Sequence, residues 1–137
     1  MEEHLKSLIR LSEEAINNDE VPVSCIILND QSKVIGMGIN SRQKDYSVIG
    51  HAEINAILDA EKNIKDWRLD KCTMIVTLKP CAMCQMIIKE SRLDKVYYLL
   101  DRDKTEEYIN IMEQLPENEL TKKYNEILCD FFKNKRD

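Results

Sequence analysis

With 137 residues, 43% hydrophobic and 33% charged, the chain can bury a core without disulfides or a structural metal, and its composition is that of a globular protein. A formal net charge of −5 argues against indiscriminate nucleic-acid binding, while leaving room for a local basic patch. Five cysteines, an odd number without a repeating spacing, favour reduced thiols over a disulfide framework, and no stretch approaches the length that crosses a bilayer. The N-terminal run Met1-Glu2-Glu3-His4-Leu5-Lys6 lacks the basic start and apolar core of a secretory signal, so the cytoplasm is the expected location.

In chain order, Leu5, Leu8, Ile9, Leu11, Ala15 and Ile16 fall mostly at helical spacing, which predicts an amphipathic helix over 3–18. Val21 to Leu28 is short and rich in β-branched residues, with Pro22 near its start, and reads as a buried strand. Asn29 to Lys33 has turn composition, and Val34 to Ile39 completes a hairpin. A polar loop over 40–50 leads to His51, and a helix is expected from Ala52 to about Asn63. Cys72 to Leu78 reads as a third strand buried on both faces. Pro80 suits a helix's first turn, so a helix is expected over 81–92, followed by a fourth strand from Lys95 to Leu100.

Beyond residue 100, Tyr108, Ile109, Ile111 and Met112 predict a short helix, and Pro116-Glu117 the start of a last one with Leu120, Tyr124, Ile127, Leu128 and Phe131 on one face. The strand-helix-strand order from residue 72 implies a right-handed crossover between parallel strands. The whole chain, 1–137, thus reads as one α/β domain, with an initial hairpin, a parallel portion and helices on both faces.

Two short stretches carry chemistry: His51-Ala52-Glu53 and Pro80-Cys81-Ala82-Met83-Cys84. One imidazole and two thiolates would give zinc three ligands and leave a fourth position for water, with Glu53 to move protons. Cys81 and Cys84, three apart in a first helical turn, project to one side, where the helix dipole favours thiolates. A lone Cys-x-x-Cys is commonly half of a structural zinc site or a redox pair. A redox pair, however, leaves His51 and Glu53 unexplained, and the combined pattern is that of zinc deaminases. Cys25, Cys72 and Cys129 are expected in the core, and His4 on the surface.

On these motifs the chain resembles the cytidine deaminase superfamily, and within it the bacterial tRNA adenosine deaminases, which convert a wobble adenosine to inosine. The stretches that carry the resemblance are Glu20-Val21-Pro22-Val23, Val34-Ile35-Gly36, Asn40, His51-Ala52-Glu53-Ile54, Thr77-Leu78, Pro80 to Cys84, Ser91-Arg92 and Asp130-Phe131-Phe132. The resemblance implies a three-layer α/β/α sandwich with a mixed sheet of four strands, or five. It implies zinc held by His51, Cys81 and Cys84, zinc-bound hydroxide as nucleophile, Glu53 as proton shuttle, a tRNA anticodon loop as substrate, and a homodimer.

It also implies that Asn40 contacts the base or ribose, although an Asn after a strand can equally stabilise a turn. Val21 and Pro22 would line the base pocket while also opening a buried strand. Phe131 and Phe132, followed by Lys133, Lys135 and Arg136, resemble the family's terminal segment, with aromatic faces for stacking and cations for phosphate; Phe131 could instead belong to the core.

The chain departs from the family in three places. Lys79 replaces a usual Glu before Pro80, reversing a charge beside the metal site. The stretch from Asp101 to Glu107, including Asp103 and Lys104, lacks the family's Gly- and Ala-rich continuation. No fifth strand is legible between 101 and 137, which would leave the fourth strand as the sheet edge or covered by a partner chain. These departures bear on substrate choice, so deamination of a free base, nucleoside or nucleotide stands as the alternative. A non-catalytic zinc module is disfavoured by the intact Glu53.

Overall fold

The computed structural model describes residues 1–102 and 105–136, with the backbone alone for residue 136. Asp103, Lys104 and the side chain of Arg136, on which sequence expectations fell, lie outside the described residues. The element order is α1 (Glu2–Asn17), β1 (Ser24–Leu28), β2 (Val34–Ile39), α2 (Ala52–Ile64), β3 (Thr73–Leu78), α3 (Ala82–Glu90), β4 (Lys95–Leu100), β5 (Met112–Gln114) and α4 (Glu119–Arg136).

The strands form one sheet in the order β2-β1-β3-β4-β5. β1 runs antiparallel to both β2 and β3, whereas β3-β4 and β4-β5 are parallel. Alternation along the strands feeds two cores. Cys25 and Ile27 of β1 and Met74 and Val76 of β3 face α2 and α3, where they meet Ala52, Ala56, Ala60 and Ile88. Ile26, Leu28 and Ile75 point to the opposite layer, against Leu5 and Leu8 of α1 and Tyr124 of α4. The result is the expected three-layer α/β/α sandwich.

α2 is fastened to the edge strand β2 by a close glycine contact and by one row of side chains. Gly36 and Gly38 admit the helix so closely that an added Cβ would stand 2.6 Å from Ala56 O and 2.4 Å from Ala52 O, respectively. One helical row, Asn55, Asp59 and Asn63, bonds the outward backbone of β2. Asn55 Nδ2 donates to Ile39 O at 2.8 Å, Met37 N–H to Asp59 Oδ2 at 3.0 Å, and Asn63 Nδ2 to Ile35 O at 2.8 Å. The edge is thereby occupied, and the N-terminus of α2, which carries the chemistry, is fixed to the sheet.

The structure corrects several expectations. No helix forms over 108–112; Met112–Gln114 is instead a fifth strand, β5, with Val96 N–H bonded to Ile111 O at 3.0 Å and Leu115 N–H to Tyr98 O at 2.9 Å. The fourth strand is therefore interior and β5 is the edge. The first strand begins at Ser24 rather than Val21, and Cys72 lies just before β3. α3 ends at Glu90, before Ser91 and Arg92. α4 begins two residues later than expected, because Asn118 and Thr121 cap it reciprocally: Thr121 N–H donates to Asn118 Oδ1 at 2.9 Å and Asn118 N–H to Thr121 Oγ1 at 2.8 Å. Cys25 and Cys72 are buried as expected, whereas Cys129 is exposed on α4.

Candidate active site

His51 and Cys81 occupy equivalent places, each the extended residue immediately before a helix, α2 and α3 respectively. Because His51 stands outside the helix, its imidazole and the carboxylate of Glu53 both line one cleft, with no irregularity needed in the first turn. Cys84, in the first turn of α3, brings its sulfur back toward Cys81. His51 Nδ1 lies 3.8 Å from Cys81 Sγ and 3.5 Å from Cys84 Sγ, and the three donor atoms all fall within 4.8 Å of one another. Tetrahedral zinc with ordinary Zn–S and Zn–N bonds places nitrogen and sulfur about 3.6 Å apart, so the donor set fits that ion.

The electrostatics agree with a metal-binding pair of thiols. Cys81 accepts a hydrogen bond from the Cys84 thiol and is held down at about 5, although burial opposes this. Cys84, the donor in that bond and buried, is pushed far up. Glu53 is 2% exposed, and burial pushes its carboxyl up to about 7; its backbone N–H and the charge of Arg102 oppose that rise, while the Cys81 thiolate adds to it. A buried carboxyl tuned near neutrality can both accept and return a proton.

The cleft beside these groups has a volume of about 830 Å³. Val21, Asn40, Phe131 and Phe132 line it, as do His51 and Glu53. Pro22 does not: it is buried behind Val21, and its carbonyl accepts the Tyr124 hydroxyl at 2.8 Å. Val23 reaches the cleft instead. Asn40 does serve a structural end, because its Oδ1 accepts the first N–H of α2, from Ala52, at 2.9 Å; its Nδ2 has no acceptor among the described residues. Phe131 and Phe132 meet edge to face with centroids 5.4 Å apart, and Lys135 lies 5.7 Å over the Phe131 ring while pairing with Asp19 at 3.8 Å. Phe131 is half-buried and Phe132 exposed.

Sequence reasoning missed the charged rim. Arg42, Lys44, Arg102 and Lys135 line the cleft, and of the acids there only Asp19 is exposed, where it pairs with Lys135. Glu53 is buried, and Glu20, also buried, accepts the backbone N–H groups of Gln43 and Lys44 at 3.0 and 2.9 Å. An acidic chain thus turns a locally basic rim toward the cleft. The basic residues of the 40–50 loop were visible in the sequence, but nothing there singled out Arg102. Lys79, expected to reverse a charge beside the metal site, is buried with its ammonium on Glu107 at 3.1 Å and Asp101 at 3.7 Å. Its charge is spent on holding the segment after β4.

Residues 1–100 match the model of the cytidine and deoxycytidylate deaminase zinc-binding region. The chain belongs to this family. Among similar proteins, the tRNA-specific adenosine deaminase of Buchnera aphidicola is 36% identical over an alignment covering 96% of this chain and 93% of that protein. The tRNA-specific adenosine deaminase of Streptococcus pyogenes is 34% identical over 69% of this chain and 58% of its own length. A solved structure from studies of A-to-I editing by tRNA:A34 deaminases at the wobble position of transfer RNA superposes with a TM-score of 0.71 at 30% identity, covering 76% of this chain and 80% of that one. Zinc is the metal of this deaminase family, and His51, Cys81 and Cys84 are the donor group this chain offers it. Among the described residues, no helix is long and apolar enough to cross a membrane.

Proposed function

We propose that residues 1–137 act as one deaminase domain that converts the wobble adenosine of a tRNA anticodon to inosine. The observation that carries this reading is that His51, grouped with Cys81 and Cys84, and Glu53 line one cleft together with Phe131 and Phe132. Similar proteins named tRNA-specific adenosine deaminases support the choice of substrate. A single base turned out of an anticodon loop needs such a pocket, with aromatic faces nearby for unpaired neighbours and cations for phosphates.

In this reading His51, Cys81 and Cys84 hold the zinc, which when bound acidifies a water molecule and polarises it for attack. Glu53 takes a proton from the attacking water and delivers it to N1 of the adenine. The C6–O bond forms, and Glu53 then carries the water's second proton to the exocyclic amine. The C6–N6 bond breaks, ammonia leaves, and C6 is left as the carbonyl of inosine. Burial of Glu53 keeps bulk water from competing for its proton. Val21, Val23 and Leu78 supply apolar walls for the base, and Asn40 offers its Nδ2 to the base or ribose while its Oδ1 stays on α2.

The protein is proposed to work as a homodimer in the cytoplasm. Leu58 on α2 and Met86 on α3 are exposed apolar residues that a second copy could cover. The functional reading is tested by incubating zinc-loaded protein with tRNA and assaying wobble inosine. Ammonia release from free bases or nucleosides, with none from tRNA, would select the alternative substrate class.

A further inference from the structure

Arg102 stands two residues past the end of β4 and lines the cleft together with His51 and Glu53. Its Nε–H donates to Lys79 O at 3.0 Å, and its backbone N–H donates to Asp101 Oδ1 at 2.7 Å. These bonds fix the base of the side chain. Both Nη groups, with four N–H donors, are left without an acceptor among the described residues. The carboxylates of Asp101 and Glu107 are engaged by Lys79 Nζ. Among the described residues, no carboxylate forms a salt bridge with Arg102, although its charge acts on the Glu53 carboxyl.

A guanidinium anchored through Nε and open at its Nη face is a preorganised fork for a phosphate. We infer that Arg102 binds the phosphate attached to the sugar of the target nucleoside, making the cleft selective for phosphate-bearing substrates over free bases and nucleosides. The inference rests on the deaminase reading above and specifies a feature of its substrate. It also gives the altered segment after β4 a purpose: Lys79 draws the nearby carboxylates away and lends Arg102 its carbonyl oxygen. An RNA backbone and a free nucleotide present the same phosphate chemistry, and the experiment separates them.

The test compares wild type, R102A and R102K in binding and turnover of three ligands: an anticodon stem-loop RNA with a wobble adenosine, adenosine 5′-monophosphate, and adenosine. R102A should weaken RNA binding about 10- to 100-fold, with partial recovery in R102K. The salt slope of log K should fall by about 0.7 to 1, as expected for one phosphate contact. A neutral methylphosphonate beside the wobble adenosine, tried on each side, should weaken wild type and leave R102A unaffected.

Equal losses from the neutral linkage in both proteins would overturn the inference. So would an R102A that lowers turnover of all three ligands alike with an unchanged salt slope, which would leave Arg102 as a latch to Lys79. Zinc content and melting temperature identify a misfolded variant; if R102A is one, R102K carries the same comparison with the charge retained and the fork lost. If wild type acts on the monophosphate but not on RNA, the wobble reading fails; loss of the monophosphate-over-adenosine preference in R102A then upholds the phosphate site, and its retention overturns it.

Discussion

Asn40 Oδ1 accepts the N–H of Ala52 at 2.9 Å, so a loop residue beside the cleft also caps the helix that presents His51 and Glu53. The structural role of Asn40 uses its Oδ1, and the substrate-reading role proposed for it would use the opposite end of the same amide. Asn40→Ala should lower stability by about 1 kcal/mol, the usual cost of a lost N-cap, and shift the melting temperature by about 3 °C. Asn40→Asp keeps the acceptor and should restore the melting temperature without restoring kcat/KM on RNA. Calorimetry beside initial rates checks both, and recovery of both properties in the Asp variant would leave Nδ2 without a role.

The close approach of α2 to β2 makes Gly38 a positioning residue at a distance from the chemistry. A Cβ there would stand 2.4 Å from Ala52 O and 2.5 Å from Ala56 N, both backbone atoms of α2. Gly38→Ala should cost about 3 kcal/mol and reduce zinc occupancy, because the helix must move and His51 moves with it. Urea unfolding and metal analysis measure the two effects; wild-type values for both would mean that the helix yields without moving its N-terminus.

Lys79 is buried against Asp101 and Glu107, so reversing its charge would place three carboxylates together. Lys79→Glu should destabilise the protein by about 3 kcal/mol or more, and Lys79→Met by less. Hydrogen exchange should show protection lost around 106–108, where Gln85 Nε2 donates to Glu106 O and Tyr108 N–H to Gln85 Oε1. Unchanged protection in Lys79→Glu would mean that Gln85 alone holds the segment.

Without metal, Cys81 and Cys84 share one proton: Cys81 sits at about 5, and Cys84 is pushed far up as its donor. Zinc loading at pH 8.5 should therefore release one proton from the thiols, not two, and zinc affinity should fall as pH drops, since protons compete for the sulfurs. Titration calorimetry in buffers of different ionisation enthalpy counts the protons. Once the proton from ionisation of the zinc-bound water is subtracted by following the count through neutral pH, release of two would mean that both thiols are protonated in the metal-free protein.

Four strands, the three-layer order and the metal group were legible because each has a local signal. Val, Ile and Leu runs bounded by turns mark the strands, and two short motifs at helix starts mark the site. β5 was not legible, because Met112, Glu113 and Gln114 carry no β-branched residue and their strand identity comes from pairing with β4. The apolar spacing of Tyr108, Ile109, Ile111 and Met112 imitated a helix, although Ile109, Ile111 and Met112 pack against the core as non-helical chain leading into β5. Arg102 and Lys79 were opaque for a related reason. Their roles depend on a carbonyl–guanidinium bond and on ion pairs between residues distant in sequence, brought together by the pairing of β3 with β4 and by the chain beyond it.

The central claim is most directly tested by mass spectrometry of anticodon nucleosides after incubating unmodified total tRNA with zinc-loaded wild-type protein and with Glu53→Gln. Inosine should appear at the wobble position with wild type. With Glu53→Gln it should fall by about 100-fold or more at unchanged zinc content. No inosine from the zinc-loaded wild type, or equal inosine from both proteins, would contradict the account.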